Sequence, residues 1–318
     1  MKIVNLDGYS TNPGDLSWEQ LRKYGDLTVY ERTKPEEIIE RAKDAEILII
    51  NKSYISAEIL EELPKLKYVG LQSTGYNAID CAAAKKKGIV VSNIPAYSTN
   101  EVAQLVFALI LEITNNVALH SEAVHNGEWS SCPDFCFWKT PLEELNDKTI
   151  GIIGFGSIGK RVANIAKAFG MKILINTPHP DSEGYQDYKF CSFDYLLENS
   201  DIVTCHCPLT DETTNLFNKE NISKMKKSAV FINTSRGQVV DDKALADALN
   251  NGSIKAAGLD VLSEEPPKSN NPLLTAKNCV ITPHIAWASV EARTRLLKIL
   301  EENLKAFIDG KPQNVVNM

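Results

Sequence analysis

Ile150-Gly151-Ile152-Ile153-Gly154-Phe155-Gly156-Ser157-Ile158-Gly159-Lys160 sets three glycines in G-x-G-x-x-G spacing between an apolar strand run and a helix. In this pattern Gly154 permits the tight turn and Gly156 lets backbone approach a pyrophosphate. Gly159 allows the following helix to pack closely on the strand. The N-terminus of that helix then offers free N–H groups and positive dipole to the anion. Three spaced glycines alone would also serve a plain strand-to-helix turn. The strand before them and the periodic helix Ile158, Val162, Ile165, Ala166, Phe169 favour a dinucleotide site.

Outward from this loop the chain alternates strands and helices. Lys2–Leu6, Leu27–Tyr30, Ile47–Ile50, Tyr68–Leu71 and Ile89–Val91 read as strands, with helices at Leu16–Lys23, Pro35–Ala42, Ala57–Glu62 and Ala78–Lys87. The pattern restarts with strands Thr149–Ile153, Lys172–Ile175, Ile202–Thr204, Ala229–Asn233, Lys255–Leu259 and Cys279–Ile281. Such alternation predicts an α/β protein of two doubly wound parallel-sheet domains. Two long helices are expected, Glu101–Val124 and Val290–Ile308. If the second returns to the first domain, a Rossmann-type cofactor domain (99–288) is inserted in a discontinuous, flavodoxin-like substrate domain (1–98 and 289–318), with crossings near Ser98 and Ala288.

Composition narrows the classes of partner. The 318 residues carry a formal net charge of −7, against the clustered basic surface that nucleic acid requires. The run Lys85-Lys86-Lys87 reads as the solvated end of a helix. No stretch approaches the ~18 apolar residues of a membrane span, and the N-terminus reads as a strand, so a soluble, cytoplasmic protein is expected. Seven cysteines without secretory features imply reduced thiols. Cys132-x-x-x-Cys136 and Cys205-His206-Cys207 invite a metal reading, but strand alternation sets His206 opposite its neighbours, and no metal is expected.

Three polar signatures follow strands of the second domain: Asn233-Thr234-Ser235-Arg236-Gly237, Leu259-Asp260-Val261-Leu262-Ser263-Glu264-Glu265-Pro266, and Thr282-Pro283-His284-Ile285-Ala286. The carboxyl ends of parallel strands line the ligand crevice of such sheets. Reducing a 2-oxo acid requires a cation for the carboxylate, a polarised carbonyl and a proton donor. Arg236 offers a permanently charged planar fork. His284 can protonate a carbonyl oxygen, and a neighbouring Glu265 favours the imidazolium form. Singly, these could be a surface arginine, a helix-start glutamate and a turn histidine; their placement at successive strand ends argues for a shared site.

With Asp7-Gly8-Tyr9, Asn12-Pro13-Gly14-Asp15-Leu16-Ser17-Trp18, Ser73-Thr74-Gly75-Tyr76-Asn77 and Pro95-Ala96-Tyr97-Ser98-Thr99-Asn100-Glu101-Val102-Ala103, these signatures make the chain resemble the D-2-hydroxyacid dehydrogenase family over essentially its full length. Gly127-Glu128-Trp129, the segment Ser131–Trp138 and His284-Ile285-Ala286-Trp287-Ala288-Ser289 are similar to its glycerate dehydrogenase, or hydroxypyruvate reductase, branch. The resemblance implies hydride exchange between NAD(P)H and a small 2-oxo acid, hydroxypyruvate/D-glycerate first. D-lactate, glyoxylate and 3-phosphoglycerate remain alternatives, the last disfavoured because no regulatory extension follows Met318. A corepressor-like cofactor sensor is the rival from another class.

Residue by residue, the resemblance implies Arg236 for substrate carboxylate and carbonyl, His284 as general acid/base, and Glu265, rather than Glu264, as its partner. Backbone at Thr74 and Gly75 would receive the substrate carboxylate. Asp260 would accept from the nicotinamide carboxamide, with Ser157 and Ile158 on the pyrophosphate. Thr234, Ser235 and Arg236 would flank the cofactor, and Cys207-Pro208 would lie under the adenosine. At the ribose position, where many relatives carry Asp, this chain has Thr177. Thr lacks the carboxylate that repels a 2′-phosphate, yet no Arg follows to attract one. Asp181 could serve the ribose if the loop folds back. NAD is therefore the expected cofactor, with NADP or dual use open. The family and the apolar helix from Val102 to Ile113 suggest a homodimer.

Overall fold

Ile47–Ile50, read Ile-Leu-Ile-Ile, is buried at every position, as a strand covered on both faces must be. The computed structural model describes residues 1–178, 180 and 188–318. They divide into two compact units, Met1–Ser98 with Trp287–Met318, and Thr99–Ala286.

The first unit holds strands β1 (Lys2–Asn5), β2 (Asp26–Val29), β3 (Ile47–Ile50), β4 (Tyr68–Leu71) and β5 (Val90–Ser92) in the order β2-β1-β3-β4-β5, all parallel. This is the flavodoxin-like order. Alternation sends Val4, Leu48, Ile50 and Val69 to one core and Ile3, Ile47, Ile49 and Tyr68 to the other. Helix Val290–Ile308 lays Leu296, Leu297, Leu300 and Leu304 into the second core. Arg293 of that helix is almost fully buried and holds both carboxylate oxygens of Asp15, at 2.7 and 2.6 Å. The tail runs antiparallel beside β5: Val315 bridges Ser92, Val316 N donates to Val91 O at 2.9 Å, and Val91 N donates to Asn317 Oδ1 at 3.0 Å.

The second unit holds β6 (Thr149–Ile153), β7 (Lys172–Asn176), β8 (Lys189–Phe190), β9 (Ile202–Cys205), β10 (Val230–Asn233), β11 (Ala256–Leu259) and β12 (Cys279–Ile281). Their order is β12-β11-β10-β9-β6-β7-β8, again all parallel, so the strand order reverses between β6 and β9. Ligands bind at that reversal in open α/β sheets. The register matters more than the count of strands. Ile153, Cys205, Asn233, Leu259 and Ile281 lie in one row across the sheet. Gly154, His206, Thr234, Asp260 and Thr282 therefore all leave the sheet at the same level.

Two expectations need correction. The helix expected over Glu101–Val124 is two helices, Thr99–Asn115 and Val117–His125, bent by 56°. Asn116 between them is left-handed, with φ 48° and ψ 48°, a conformation Asn tolerates better than most residues. Thr114 also turns its hydroxyl back to Ile110 O at 2.9 Å, competing with the helix ladder. The helix expected over Leu16–Lys23 shrinks to Glu19–Arg22, because the Asn12 side chain wraps the preceding loop, bonding Gly14 N, Leu16 N and Leu16 O. Among the described residues no single helix is long and apolar enough to cross a membrane; the bent pair passes by length and composition, and its first member packs into the core of its unit.

Helix Ser157–Ala168 leaves the reversal point tightly against β6, since a Cβ on Gly159 would strike the Gly154 carbonyl oxygen. Gly159→Ala is expected to cost about 1–3 kcal/mol by forcing helix and strand apart. A thermal melt should show a lowered Tm, by roughly 2–4 °C per kcal/mol; an unchanged Tm would show that the helix shifts freely.

Candidate functional site

The row of strand ends delivers three loops, and backbone sterics bring them together. After β10, the buried Asn233 pins the turn: its Oδ1 accepts from Ser235 N at 2.9 Å and Ser235 Oγ at 2.8 Å, and its Nδ2 donates to Arg236 O at 3.0 Å. Gly237 then passes so close to the Leu262 carbonyl that no side chain would fit there. Gln238 Nε2 donates to Ser263 O at 2.9 Å. The loop carrying Arg236 is thus locked to the loop carrying Glu265. Arg236 is half-buried, with Nη1 donating to Ser235 O at 2.7 Å.

Glu265 faces two ways. Its Oε1 accepts from Leu262 N at 3.2 Å and its Oε2 lies 2.6 Å from His284 Nδ1. An ionised carboxylate only accepts, so Nδ1 carries the proton toward Glu265 and Nε2 is left for chemistry outside the pair. Both side chains are about one-third exposed, at 32% and 34%. His284 has φ 53°, a left-handed conformation that a non-glycine residue holds only when its surroundings fix it. Here the fixing group is Asp260.

Asp260 is 1% exposed. Its Oδ1 accepts from Thr282 Oγ1 at 2.6 Å and Ile285 N at 2.8 Å, its Oδ2 accepts from Ala286 N at 2.8 Å, and its carbonyl accepts from His284 N at 2.8 Å. Burial pushes the carboxyl above its ordinary range; the Thr282, Ile285 and Ala286 donors and the nearby His284 oppose that rise. The residue assigned from resemblance to the nicotinamide thus also organises the histidine loop, and Oδ2 retains room for a further donor. Sequence reasoning missed Asn233, Gly237 and Thr282 as site residues. The signal available was their place inside the same three signatures.

The glycine loop fits a dinucleotide. Gly154 has φ 88°, and a Cβ there would lie 2.7 Å from the His206 carbonyl group and 2.8 Å from Cys207 N. A Cβ on Gly156 would meet nothing within 4 Å, leaving open space before Ser157 and Ile158. The helix they begin has no side-chain cap and no acidic residue in its first turn, so its N–H groups are left for an anion. Thr234 Oγ1, in the next loop of the row, is buried without a partner. Thr177 is the first residue past β7 and is half-buried, while Asp181 lies outside the described residues. Pro208 is exposed and its carbonyl accepts from Thr213 Oγ1 at 2.7 Å.

In the first unit, Thr74 and Gly75 sit in the loop after β4. Thr74 Oγ1 donates to Ile94 O at 2.7 Å, Asn93 Nδ2 donates to Thr74 O at 2.7 Å, and Ser73 Oγ donates to Gly75 O at 2.6 Å. These bonds fix the loop through its carbonyls and hydroxyls. The cysteine pair after β9 separates from its histidine: Cys205 Sγ and Cys207 Sγ are 3.4 Å apart, whereas His206 Nε2 bonds Thr204 Oγ1 at 3.0 Å. Among the described residues, no group of three or more His, Cys, Asp or Glu is placed to hold a metal ion.

Comparison with known proteins gives this geometry its chemistry. Residues 107–286 match the family model described as D-isomer specific 2-hydroxyacid dehydrogenase, NAD binding domain. The chain is 49% identical to a hydroxypyruvate reductase of Blautia hydrogenotrophica, covering 100% of both chains. It is 43% identical to a glycerate dehydrogenase of Methylorubrum extorquens, covering 99% of this chain and 98% of the relative. A solved acyclic imino acid reductase, in complex with NADPH and D-Arg, superposes with a TM-score of 0.86 at 34% identity over 99% of this chain and 100% of its own. The chain belongs to the D-isomer specific 2-hydroxyacid dehydrogenases, NAD(P)-dependent oxidoreductases that exchange a hydride with small 2-oxo and 2-hydroxy acids.

Proposed function

We propose that this enzyme interconverts hydroxypyruvate and D-glycerate, with Arg236, Glu265 and His284 as its working residues. The observation that carries the reading is the His284 Nδ1–Glu265 Oε2 contact of 2.6 Å on loops locked to that of Arg236, in a chain matched end to end by a hydroxypyruvate reductase. The Arg236 fork binds the substrate carboxylate and orients its carbonyl. Thr74 and Gly75, in the loop after β4 of the first unit, are the substrate-binding backbone that the family resemblance implies. Bound NADH supplies the hydride. His284 Nε2 gives its proton to the carbonyl oxygen in reduction and takes it back in oxidation, while Glu265 accepts from Nδ1 and holds the ring in place. Gly154, Gly156, Ser157, Ile158 and Gly159 hold the pyrophosphate, Thr234 to Arg236 and Asp260 flank the nicotinamide, and Thr177, Cys207 and Pro208 border the adenosine.

The working form is a homodimer. Segment 117–142 displays Val117, Trp129, Phe135, Trp138 and Leu142, with Phe135 89% and Trp138 67% exposed. So much exposed aromatic surface on one segment marks an interaction face.

The cofactor choice rests on Thr177. NADH and NADPH should both serve, NADH better, and hydroxypyruvate should exceed glyoxylate and pyruvate in kcat/KM. In Thr177→Asp, the kcat/KM ratio of NADPH to NADH should fall about tenfold, ~1.4 kcal/mol, because the carboxylate accepts from ribose hydroxyls and opposes a 2′-phosphate. An unchanged ratio would show that Thr177 does not face the ribose. A panel in which hydroxypyruvate is not the preferred acid would overturn the substrate assignment.

Removing the carboxylate 2.6 Å from His284 Nδ1 replaces a charged acceptor with an amide that can also turn its NH2 toward the ring, so Glu265→Gln should lower kcat about tenfold, ~1.4 kcal/mol; an unchanged kcat would leave Glu265 a loop residue. In Asp260→Asn an amide NH2 must face one of the backbone N–H groups that the carboxylate now accepts. A cost of about 1–3 kcal/mol should lower Tm, and kcat should fall with it as His284 is released. Normal stability and kcat together would refute the positioning role.

A further inference from the structure

We propose that Cys205 and Cys207 form an oxidisable dithiol that a hydroperoxide closes to a disulfide. The last residue of β9 and the residue two beyond it point to the same side, bringing their sulfurs to 3.4 Å. A disulfide bond is about 2.0 Å long, so rotation of the two side chains has little more than an ångström to cover. Cys205 is fully buried and Cys207 is 9% exposed, so an oxidant reaches the pair through Cys207. Cys132 and Cys136 do not share this arrangement, since the Cys132 thiol lies 3.8 Å from the Cys136 carbonyl.

The reaction balances in two steps. The Cys207 sulfur attacks the hydroperoxide, forming an S–O bond and breaking the O–O bond; the alcohol leaves with the thiol proton, and Cys207 becomes a sulfenic acid. The Cys205 sulfur then attacks the Cys207 sulfur and water departs. Two thiols lose two electrons, and one hydroperoxide is reduced to an alcohol and water. Cys207 Sγ and Ser235 Oγ lie 3.4 and 3.5 Å from the Cys205 sulfur, and hydrogen bonding from them holds Cys205 below the usual thiol range against the effect of burial. The same sulfur–sulfur hydrogen bond, with burial, holds Cys207 above it. The first step is therefore slow, and the Cys205 sulfur already lies 3.4 Å from its target for the second.

Closure reaches the glycine loop. Gly154 packs on the peptide joining His206 to Cys207, so the disulfide forms directly beside the surface on which that loop rests. This part of the inference rests on the reading that Cys207 and Gly154 border the dinucleotide. On that reading, bound NADH slows oxidation by covering Cys207, and the closed disulfide weakens NADH binding.

The test treats the reduced full-length chain with hydrogen peroxide, with and without NADH, blocks remaining thiols and maps the products by mass spectrometry. A dithiothreitol-reversible Cys205–Cys207 link is expected in the 190–219 peptide, distinguished from Cys191 by fragmentation and retained in Cys191→Ser. Cys205→Ser should instead accumulate oxygen adducts on Cys207. Thiols of Cys205 and Cys207 still blocked in full after peroxide, or a link to another cysteine, would overturn the proposal. NADH should slow closure about tenfold, equivalent to ~1.4 kcal/mol. Closure at one rate with and without NADH would leave the dithiol established and refute the placement of Cys207 beside the cofactor.

Discussion

A carboxylate buried at the end of a parallel strand must find donors, and Asp260 finds them by pulling the chain beyond the next strand around itself. Thr282, Ile285 and Ala286 donate to its side chain, and His284 donates to its carbonyl. Those bonds hold His284 at φ 53° and aim its ring at Glu265. Ala286 N, the buried donor among them, would otherwise go unpaired at a cost of about 1–3 kcal/mol. The histidine's orientation is thus a by-product of satisfying a buried charge. The loop of Arg236 is fixed by neutral means instead, through Asn233 and the glycine contact of Gly237 with Leu262.

The first unit solves its own strand ends similarly. Asp7 lies just past β1, is 5% exposed, and accepts from Asn51 N, Lys52 N, Ser53 N and Ser53 Oγ. There the carboxylate ties the end of β1 to the chain leaving β3. In both units an aspartate beyond a strand does for the loops what the backbone ladder does for the strands: it fixes register where the sheet has stopped.

Much of this was legible in the sequence, for identifiable reasons. Parallel strands buried on both faces read as unbroken apolar runs, so Ile47–Ile50 and Tyr68–Leu71 could be located to the residue. The glycine loop was legible because backbone approach forbids side chains. Arg236, Glu265 and His284 stood out as polar residues following such runs, though their roles came from family resemblance as much as from chemistry. Long-range partners were not legible. Nothing near Asp260 in sequence announces that its acceptors are filled by residues 282–286. The break at Asn116 was hidden inside an apolar helical pattern, where one left-handed residue is invisible to periodicity. β8, two residues long, gives no periodic signal at all. Thr74 and Gly75 had no chemical signature and are proposed through resemblance alone.

The strip laid beside β5 has a consequence for how the chain acquires its shape. Asn317 bonds Val91 N and Ile89 O across sequence separations of 226 and 228 residues, and helix Val290–Ile308 covers a core built from the first hundred residues. During synthesis from the N-terminus, β1 to β5 emerge long before either cover exists. The second unit is continuous in sequence, from Thr99 to Ala286, and has all its parts before the first unit has its last. Throughout that interval the outer edge of β5 offers unpaired N–H and C=O groups, and one sheet face stays bare, the kind of surface on which nascent chains associate with one another. The earliest residues to leave the ribosome are thus among the last to be finished.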